Sequence, residues 1–377
     1  MEDQMLHLHN ATLEDIAGRI KKEKLRIVVY GAGMIGKIVV PDMIERYYLS
    51  ENIACYIDGD TRKQGKQIMV GGKPVTICSP KVLDSLLQNV FLFITNSNYS
   101  AVLAALDKNE HLNGMDAVII PMIQALSVKE RVNESAIILR SYSEERIPKV
   151  IHYCWFSGKE MPDHLKKCVD SWHRFCPDYE IKRWDESNYD VSKNSYMKQA
   201  YEAKKWGFVP DYARLDILYN YGGFYLDTDV ELIKSLDALR NQWGFCGVEK
   251  WGNINMGGCS GAVKQHPMIK KLLDYRENIP FIREDGTYNL ETCGVYETKP
   301  FIEEGMTVDN TTQRIQDMTV FSSDYFHPYD YMSGETCITK NTYSIHHFNG
   351  GWLDEKKRGE RKQTAEAYKK ILKRMRV

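Results

Sequence analysis

Asp227 and Asp229, in the run Phe224-Tyr-Leu-Asp-Thr-Asp-Val230, are the residues of this sequence best suited to chemistry. In extended backbone, residues i and i+2 point the same way. Two carboxylates so placed can share one Mn²⁺ or Mg²⁺, cations that favour oxygen ligands and take the rest of their shell from phosphates. Such a cation would neutralise charge building on a departing phosphate group. Just upstream, Asp211 and Arg214 lie on one face of an expected helix. Arg214 there offers a bidentate clamp for a phosphate. Asp-x-Asp alone is common, and Asp58 and Asp60 form another. The combination of helix, paired glycines, aromatic strand and Asp-Thr-Asp sets residues 209–230 apart.

Distant segments offer complementary side chains. Ile147 to Gly158 places Trp155 just past the end of a strand that also carries His152. An indole there can stack on a base, or it can anchor a core. Ser344-Ile-His-His-Phe-Asn-Gly-Gly-Trp352 sets His346 and His347 near Trp352. Histidine is a plausible further ligand for Mn²⁺. Adjacent histidines in extended backbone point opposite ways, so at most one of them can join the aspartates.

Near the N-terminus, Gly31, Gly33 and Gly36 form a G-x-G-x-x-G turn between an expected strand, 26–30, and an apolar helical run, 38–48. Glycines there let a phosphate approach the start of the helix, and Asp58, closing the next strand, is placed to bond a ribose. An equally good reading is a domain that has kept the turn and lost the ligand.

These residues need elements to hold them. Residues 13–23 read as an amphipathic helix, and 53–57, 75–78, 90–95 and 117–120 as strands. Strands alternating with helices imply a parallel, doubly wound sheet. Ser79 and Pro80 carry the chemistry of a helix start. Polar residues 141–146 resemble a linker, so a boundary is expected near 145, giving domains 1–145 and 146–377. Pro210 suits the first turn of the helix that presents Asp211 and Arg214, and Gly222-Gly223 suits its end. From Glu355 onward, ten Lys and Arg face three Glu. That segment reads as a basic helix, about 363–376, either simply solvated or lying on an anionic membrane surface.

Composition narrows the function classes. With 50 basic and 51 acidic residues, no polyanionic partner such as nucleic acid is indicated. The nine cysteines form no C-x-x-C pair, which argues against a zinc or thioredoxin-like motif and for free thiols in a reducing compartment. The absence of an apolar signal core or a spanning-length apolar run supports a cytoplasmic expectation.

Taken in order, Ile147–Gly158, Asp211–Asp229 and Ser344–Trp352 resemble glycosyltransferase family 32, the DXD-containing group of α-mannosyltransferases and capsular-polysaccharide transferases. The resemblance covers roughly 147–352. The Asp211–Arg214 to Asp227–Asp229 spacing is also similar to that of the large glucosylating toxins. The resemblance implies a GT-A fold after the first domain and transfer, with retention, from a nucleotide-sugar donor to a glycan or lipid-linked acceptor. It implies that Trp155 stacks on the donor base, that Asp227 and Asp229 serve the metal and donor, that Asp211 holds sugar hydroxyls, and that Arg214 holds a phosphate or the sugar. It favours His347 over His346 as the further metal ligand and places Asn255 in a donor or acceptor segment. His152 and Trp352 join the expected donor site. The toxin-like spacing favours UDP over GDP. The glycine turn with Asp58–Gly65 resembles small Rossmann-like domains of bacterial polysaccharide-assembly enzymes.

Two alternatives remain open to the sequence. An NAD-dependent oxidoreductase would use Gly31–Gly36 but would leave everything after 146 unexplained. A non-catalytic nucleotide-sugar-binding protein would leave the intact Asp227 and Asp229 without a task.

Overall fold

The computed structural model describes residues 5–86, 89–123, 144–351, 353 and 355–375. The chain forms two compact units. The first comprises Met1–Asn133, Tyr331–Gly334 and Glu355–Val377, and the second Glu134–Asp330 and Glu335–Asp354. The C-terminal helix therefore belongs with the first unit, which corrects its expected assignment to 146–377. It packs on the first unit's own helix Tyr99–Leu106, burying Thr364, Tyr368 and Ile371. It runs Glu355–Arg374, so it starts earlier than expected.

The first unit contains β1 (His7–Leu8), α1 (Leu13–Glu23), β2 (Arg26–Tyr30), α2 (Val40–Arg46), β3 (Ile53–Ile57), β4 (Gln67–Val70), β5 (Lys73–Cys78), β6 (Val90–Ile94), α3 (Tyr99–Leu106) and β7 (Asp116–Ile119). Thr12 caps α1 through its side chain, as its residue type predicts. The sheet order is β1-β7-β6-β2-β3-β5-β4. All pairings are parallel except β4 with β5. Continuous apolar runs such as Val90–Ile94, buried throughout, are what a sheet covered on both faces requires. The helix expected over 38–48 is entered by a π-helical stretch, Ile35–Val39. The helix expected after Ser79-Pro80 is a 3₁₀ segment, Pro80–Ser85.

The second unit contains β8 (Val150–Cys154), α4 (Asp163–Phe175), β9 (Glu180–Trp184), α5 (Ser195–Glu202), α6 (Pro210–Tyr221), β10 (Gly223–Tyr225), β11 (Val230–Leu232), β12 (Gly244–Val248), β13 (Ile254–Asn255), β14 (Ser260–Ala262), α7 (Pro267–Glu277), α8 (Cys293–Glu303), β15 (Gln313–Ile315), β16 (Met318–Phe321), a short hairpin β17 (Tyr329–Asp330) and β18 (Glu335–Thr336), and β19 (Ser344–His346). Its main sheet has the order β15-β16-β12-β14-β10-β8-β9, with β13 beside β12. β9, β8 and β10 run parallel, and β14 lies antiparallel between β10 and β12. The class is α/β, as expected. A separate ribbon pairs β11 with β19. Beneath it, α4 donates from Trp172 Nε1 to Val230 O at 2.7 Å, and Ser171 Oγ accepts from Leu232 N at 2.9 Å. Trp172, Ile151, Phe224, Leu226, Phe245 and Phe326 form one buried core. It fixes both the main sheet and the ribbon.

Candidate functional site

The site grows from the turn between α6 and β10. Pro210 opens α6, and Gly222 ends it at φ 68°. A Cβ on Gly222 would meet Lys264 N at 2.8 Å, and one on Gly223 (φ 94°) would meet Val150 O at 2.8 Å. Only glycines make this reversal. β10 then pairs with β8 so that Tyr225 faces His152. Continuing the register sets Asp227 near Cys154 and one residue short of Trp155, at the C-terminal ends of adjacent parallel strands. Trp155 is half-buried there, and its Nε1 donates to Lys159 O at 2.7 Å.

Asp227, Asp229 and His346 come together, with one ligand atom of each lying within 4.8 Å of the others. The β11–β19 register puts the two histidines on opposite faces of the ribbon. Val230 opposes His346 and Glu231 opposes Ile345. Directly opposed residues share a face, so His346 points with Val230 and His347 with Glu231. His346 Nε2 lies 3.3 Å from Asp229 Oδ1, whereas His347 Nε2 lies 2.9 Å from Glu231 Oε2. The structure thus places His346, not His347, against the aspartates. Asp229 lies in the turn before β11, outside the strand's alternation, and from there its carboxylate meets the buried His346. The backbone adds to the hold on Asp229, with Asn349 N donating to its Oδ2 at 2.9 Å. Burial pushes the Asp229 carboxyl up, but His346 and the Asn349 N–H outweigh it and leave it at about 2. For His346 burial acts downward, while Asp229 and then Asp227 raise it above its ordinary value. Phe348, at φ 47°, stacks on His346 with ring centroids 4.0 Å apart. His327 lies behind, 5.5 Å from the His346 ring. It is fully buried and held neutral, mainly by that burial.

Behind Asp227 lies a buried charge cluster. Arg214 Nη2 is 3.3 Å from Asp211 Oδ1 and 3.4 Å from Asp227 Oδ1, and its Nη1 is 3.4 Å from Glu297 Oε1. Arg276 Nη2 reaches Asp211 Oδ2 at 3.0 Å. Its guanidinium lies between Tyr196 and Tyr296, 4.0 and 4.4 Å from the ring centroids. Tyr225 donates its hydroxyl to Asp227 Oδ1 at 3.2 Å. Arg214 and Asp211, both buried, are therefore committed to carboxylate and guanidinium partners. The phosphate and sugar-hydroxyl roles expected of Arg214 and Asp211 are proposals; what the geometry gives them is a place directly behind Asp227. Burial raises the Asp211 carboxyl despite Arg276 and Arg214.

Asn255 is likewise turned inward. Its Oδ1 accepts from Gly257 N at 2.9 Å and Gly258 N at 3.0 Å, and its Nδ2 donates to Glu249 Oε1 at 2.8 Å. It shapes the loop on which Asp227 rests, where a Cβ at Gly257 would meet Asp227 Oδ2 at 2.1 Å. It does not stand free for a donor, as the sequence reading expected. His152 also leaves the expected donor site. Its Nδ1 accepts from Trp184 Nε1 at 3.1 Å. The other nitrogen must then carry the proton, which it donates to Gly222 O at 3.0 Å. Burial brings its pKa down to about 4. It is a neutral structural residue bracing the glycine turn. Trp352 lies outside the described residues.

Glu297, Arg276, Tyr225 and His346 extend the sequence reading. Burial pushes Glu297 up to about 7, against the opposing pull of Arg214 and the Met256 N–H. Its folded pKa thus exceeds its unfolded one, so the folded state holds this proton longer. The resulting stability is fully present below about pH 4.5 and is lost as pH rises to about 7, by on the order of 3 kcal/mol. Expressed as a wild-type minus Glu297→Gln difference in urea-unfolding free energy, this decline appears between those pH values.

In the first unit the glycine turn is preserved but its acid is engaged. Gly31 takes φ 118°, and a Cβ there would meet Thr95 Oγ1 at 2.5 Å, while one on Gly36 would meet Gly31 O at 2.1 Å. Gly33 faces open space. Asp58 Oδ2 accepts from Ala32 N at 2.8 Å and from Lys63 Nζ at 2.9 Å. Asp58 thus pins the turn instead of awaiting a ribose. A second group able to hold a metal, His7, His9 and Asp116, lies in this unit. Among the described residues, no helix is long and apolar enough to cross a membrane.

The second unit is an α/β unit with paired carboxylates at the C-terminal end of a strand, and residues 162–245 match the glycosyltransferase sugar-binding region containing DXD motif. That matched stretch includes Asp211, Arg214, Asp227 and Asp229. An uncharacterized glycosyltransferase of Acanthamoeba polyphaga mimivirus is 26% identical over 201 residues, covering 51% of this chain and 77% of that protein. Inositol phosphoceramide mannosyltransferase 3 of Schizosaccharomyces pombe is 32% identical, covering 36% of this chain and 37% of the enzyme. Mannosyl phosphorylinositol ceramide synthase of Saccharomyces cerevisiae is 32% identical, covering 34% of each. The match thus spans about a third of each of these two fungal enzymes. Among solved structures, the PaToxG glycosyltransferase gives a TM-score of 0.35 at 18% identity, covering 49% of this chain and 77% of that one. The galactosyltransferase LgtC gives 0.32 at 13% identity, covering 59% and 95%.

Proposed function

We propose that the second unit is a metal-dependent, retaining hexosyltransferase of GT-A type. It moves a sugar from a nucleotide-sugar donor, preferentially a UDP-sugar, to a glycan or lipid-linked acceptor in surface-polysaccharide synthesis. The observation that carries this reading is the convergence of Asp227, Asp229 and His346 beyond the end of β10, with both aspartates inside the matched DXD region. The names of the fungal relatives support a lipid-linked acceptor and keep mannose among the candidate sugars.

The donor set fits a divalent cation. Two carboxylates and an imidazole suit Mn²⁺ well and Mg²⁺ less well. Among the described residues, the buried His346 Nδ1 has no hydrogen-bond partner. Asp227, Asp229 and His346 would hold the ion, which when bound would offset charge on the leaving diphosphate. Arg214 and Tyr225 orient Asp227. Trp155, one position beyond Asp227 in strand register, offers its ring to the base. We assign retention to attack from the face of the departing diphosphate. The exposed lysines of the C-terminal helix are suited to peripheral contact with an anionic membrane on the cytoplasmic side.

Turnover of a panel of UDP- and GDP-sugars, read as released nucleoside diphosphate with Mn²⁺ and with EDTA, tests this. Release should require Mn²⁺ and favour UDP-sugars. Absence of release from every donor in Mn²⁺, with and without glycan acceptors, would contradict the reading.

A further inference from the structure

We propose that His7, His9 and Asp116 form a zinc site in the first unit, separate from the carboxylate pair of the second. β1 runs parallel to β7 with His7 beside Asp116. The ladder continues past the strand, because His9 N donates to Ala117 O at 2.9 Å. Residues 7 and 9 of an extended segment face the same way, and here that face also carries the Asp116 carboxylate. His7 Nδ1 lies 3.2 Å and His9 Nε2 2.6 Å from the same oxygen, Asp116 Oδ1. Two imidazole nitrogens and one carboxylate oxygen are a donor set that Zn²⁺ accepts in tetrahedral sites with the fourth position left to water. His7 is 58% exposed, His9 16% and Asp116 18%, so an ion can enter from the His7 side.

The hydrogen bonding of His9 points the same way. Its Nε2 lies 2.6 Å from Asp116 Oδ1 and also 2.9 Å from Arg19 Nη1. A carboxylate oxygen needs that nitrogen protonated, whereas a guanidinium, which only donates, needs it bare. One ring nitrogen cannot satisfy both. Arg19 Nη1 has a second acceptor in Asp116 Oδ1 at 3.2 Å, so it can stay on the carboxylate while a cation takes the His9 Nε2 lone pair, once Nε2 and Oδ1 open to roughly 3.3 Å, the spacing set by Zn–ligand bonds of about 2 Å. Arg19 Nη2 would keep its 2.6 Å bond to Asp116 Oδ2, orienting the ligand carboxylate from outside. The bound ion would tie the two-residue edge strand β1 to β7.

Equilibrium dialysis of the full-length chain against Zn²⁺ tests the site, with circular dichroism confirming the fold of each variant. Wild type should bind one equivalent more than His9→Ala and one more than Asp116→Asn. Asp229→Asn, altered only in the second unit, should retain that equivalent. Zn²⁺ should also raise the first unfolding midpoint of wild type and not that of His9→Ala. If His9→Ala and Asp116→Asn bind as many equivalents as wild type, the site does not exist.

Discussion

Asp229→Asn is expected to lower sugar transfer by at least about a hundredfold while leaving the chain folded, in keeping with the cost of losing one preorganised electrostatic contact. The amide is nearly isosteric with the carboxylate and can still accept from Asn349 N, the 2.9 Å contact that seats Asp229. It removes the charge that opposes His346 across 3.3 Å. It also removes an anionic oxygen from the group with Asp227 and His346. The loss should fall on turnover with Mn²⁺ present, and raising Mn²⁺ should recover only part of it. Released nucleoside diphosphate together with a thermal melt separates this from unfolding. A cooperative melt with full activity would remove Asp229 from the site.

Arg214→Met is expected to act mainly on stability. The guanidinium is the shared partner of Asp211, Asp227 and Glu297 at 3.3–3.4 Å. Among those contacts, only Asp211 has another guanidinium, that of Arg276. Removing one member of a buried ion cluster strands the others, at a typical cost of about 3–5 kcal/mol. Arg214→Lys should recover little of this, since a single ammonium cannot span three carboxylates as a planar fork does. Adding Glu297→Gln to Arg214→Met should restore part of the stability, because it removes a carboxylate left unpaired. Urea unfolding of the four-member cycle reads the coupling directly. Additive single effects would show that Arg214 and Glu297 do not act on one another.

Much of this arrangement was legible in the residues themselves. Pro210, Gly222-Gly223 and the Asp-Thr-Asp run state a helix, a reversal and a paired-carboxylate strand end through local chemistry, and the structure builds them in that order. The β-α alternation before 120 gives a parallel sheet for the same reason. Residues whose roles depend on a distant partner were not legible. His346 and His347 differ only in the face of β19 they occupy, and that face is set by register with β11, more than a hundred positions earlier. Glu297 joins the site across a separation of 83 residues from Arg214, and no local pattern announces it. His152 and Asn255 look like ligands by type but spend their polar atoms on backbone and indole. For Arg214 the sequence shows the charge but not the carboxylates that surround it. The C-terminal helix follows the second unit in sequence, whereas its buried residues Thr364, Tyr368 and Ile371 face the first unit's α3.

Calorimetric titration of UDP into the full-length chain, with and without Mn²⁺ and repeated on Asp227→Asn, addresses the carboxylate–imidazole group most directly. Binding should require Mn²⁺ and be lost in the variant. UDP binding of equal strength in EDTA, or in Asp227→Asn, would contradict it.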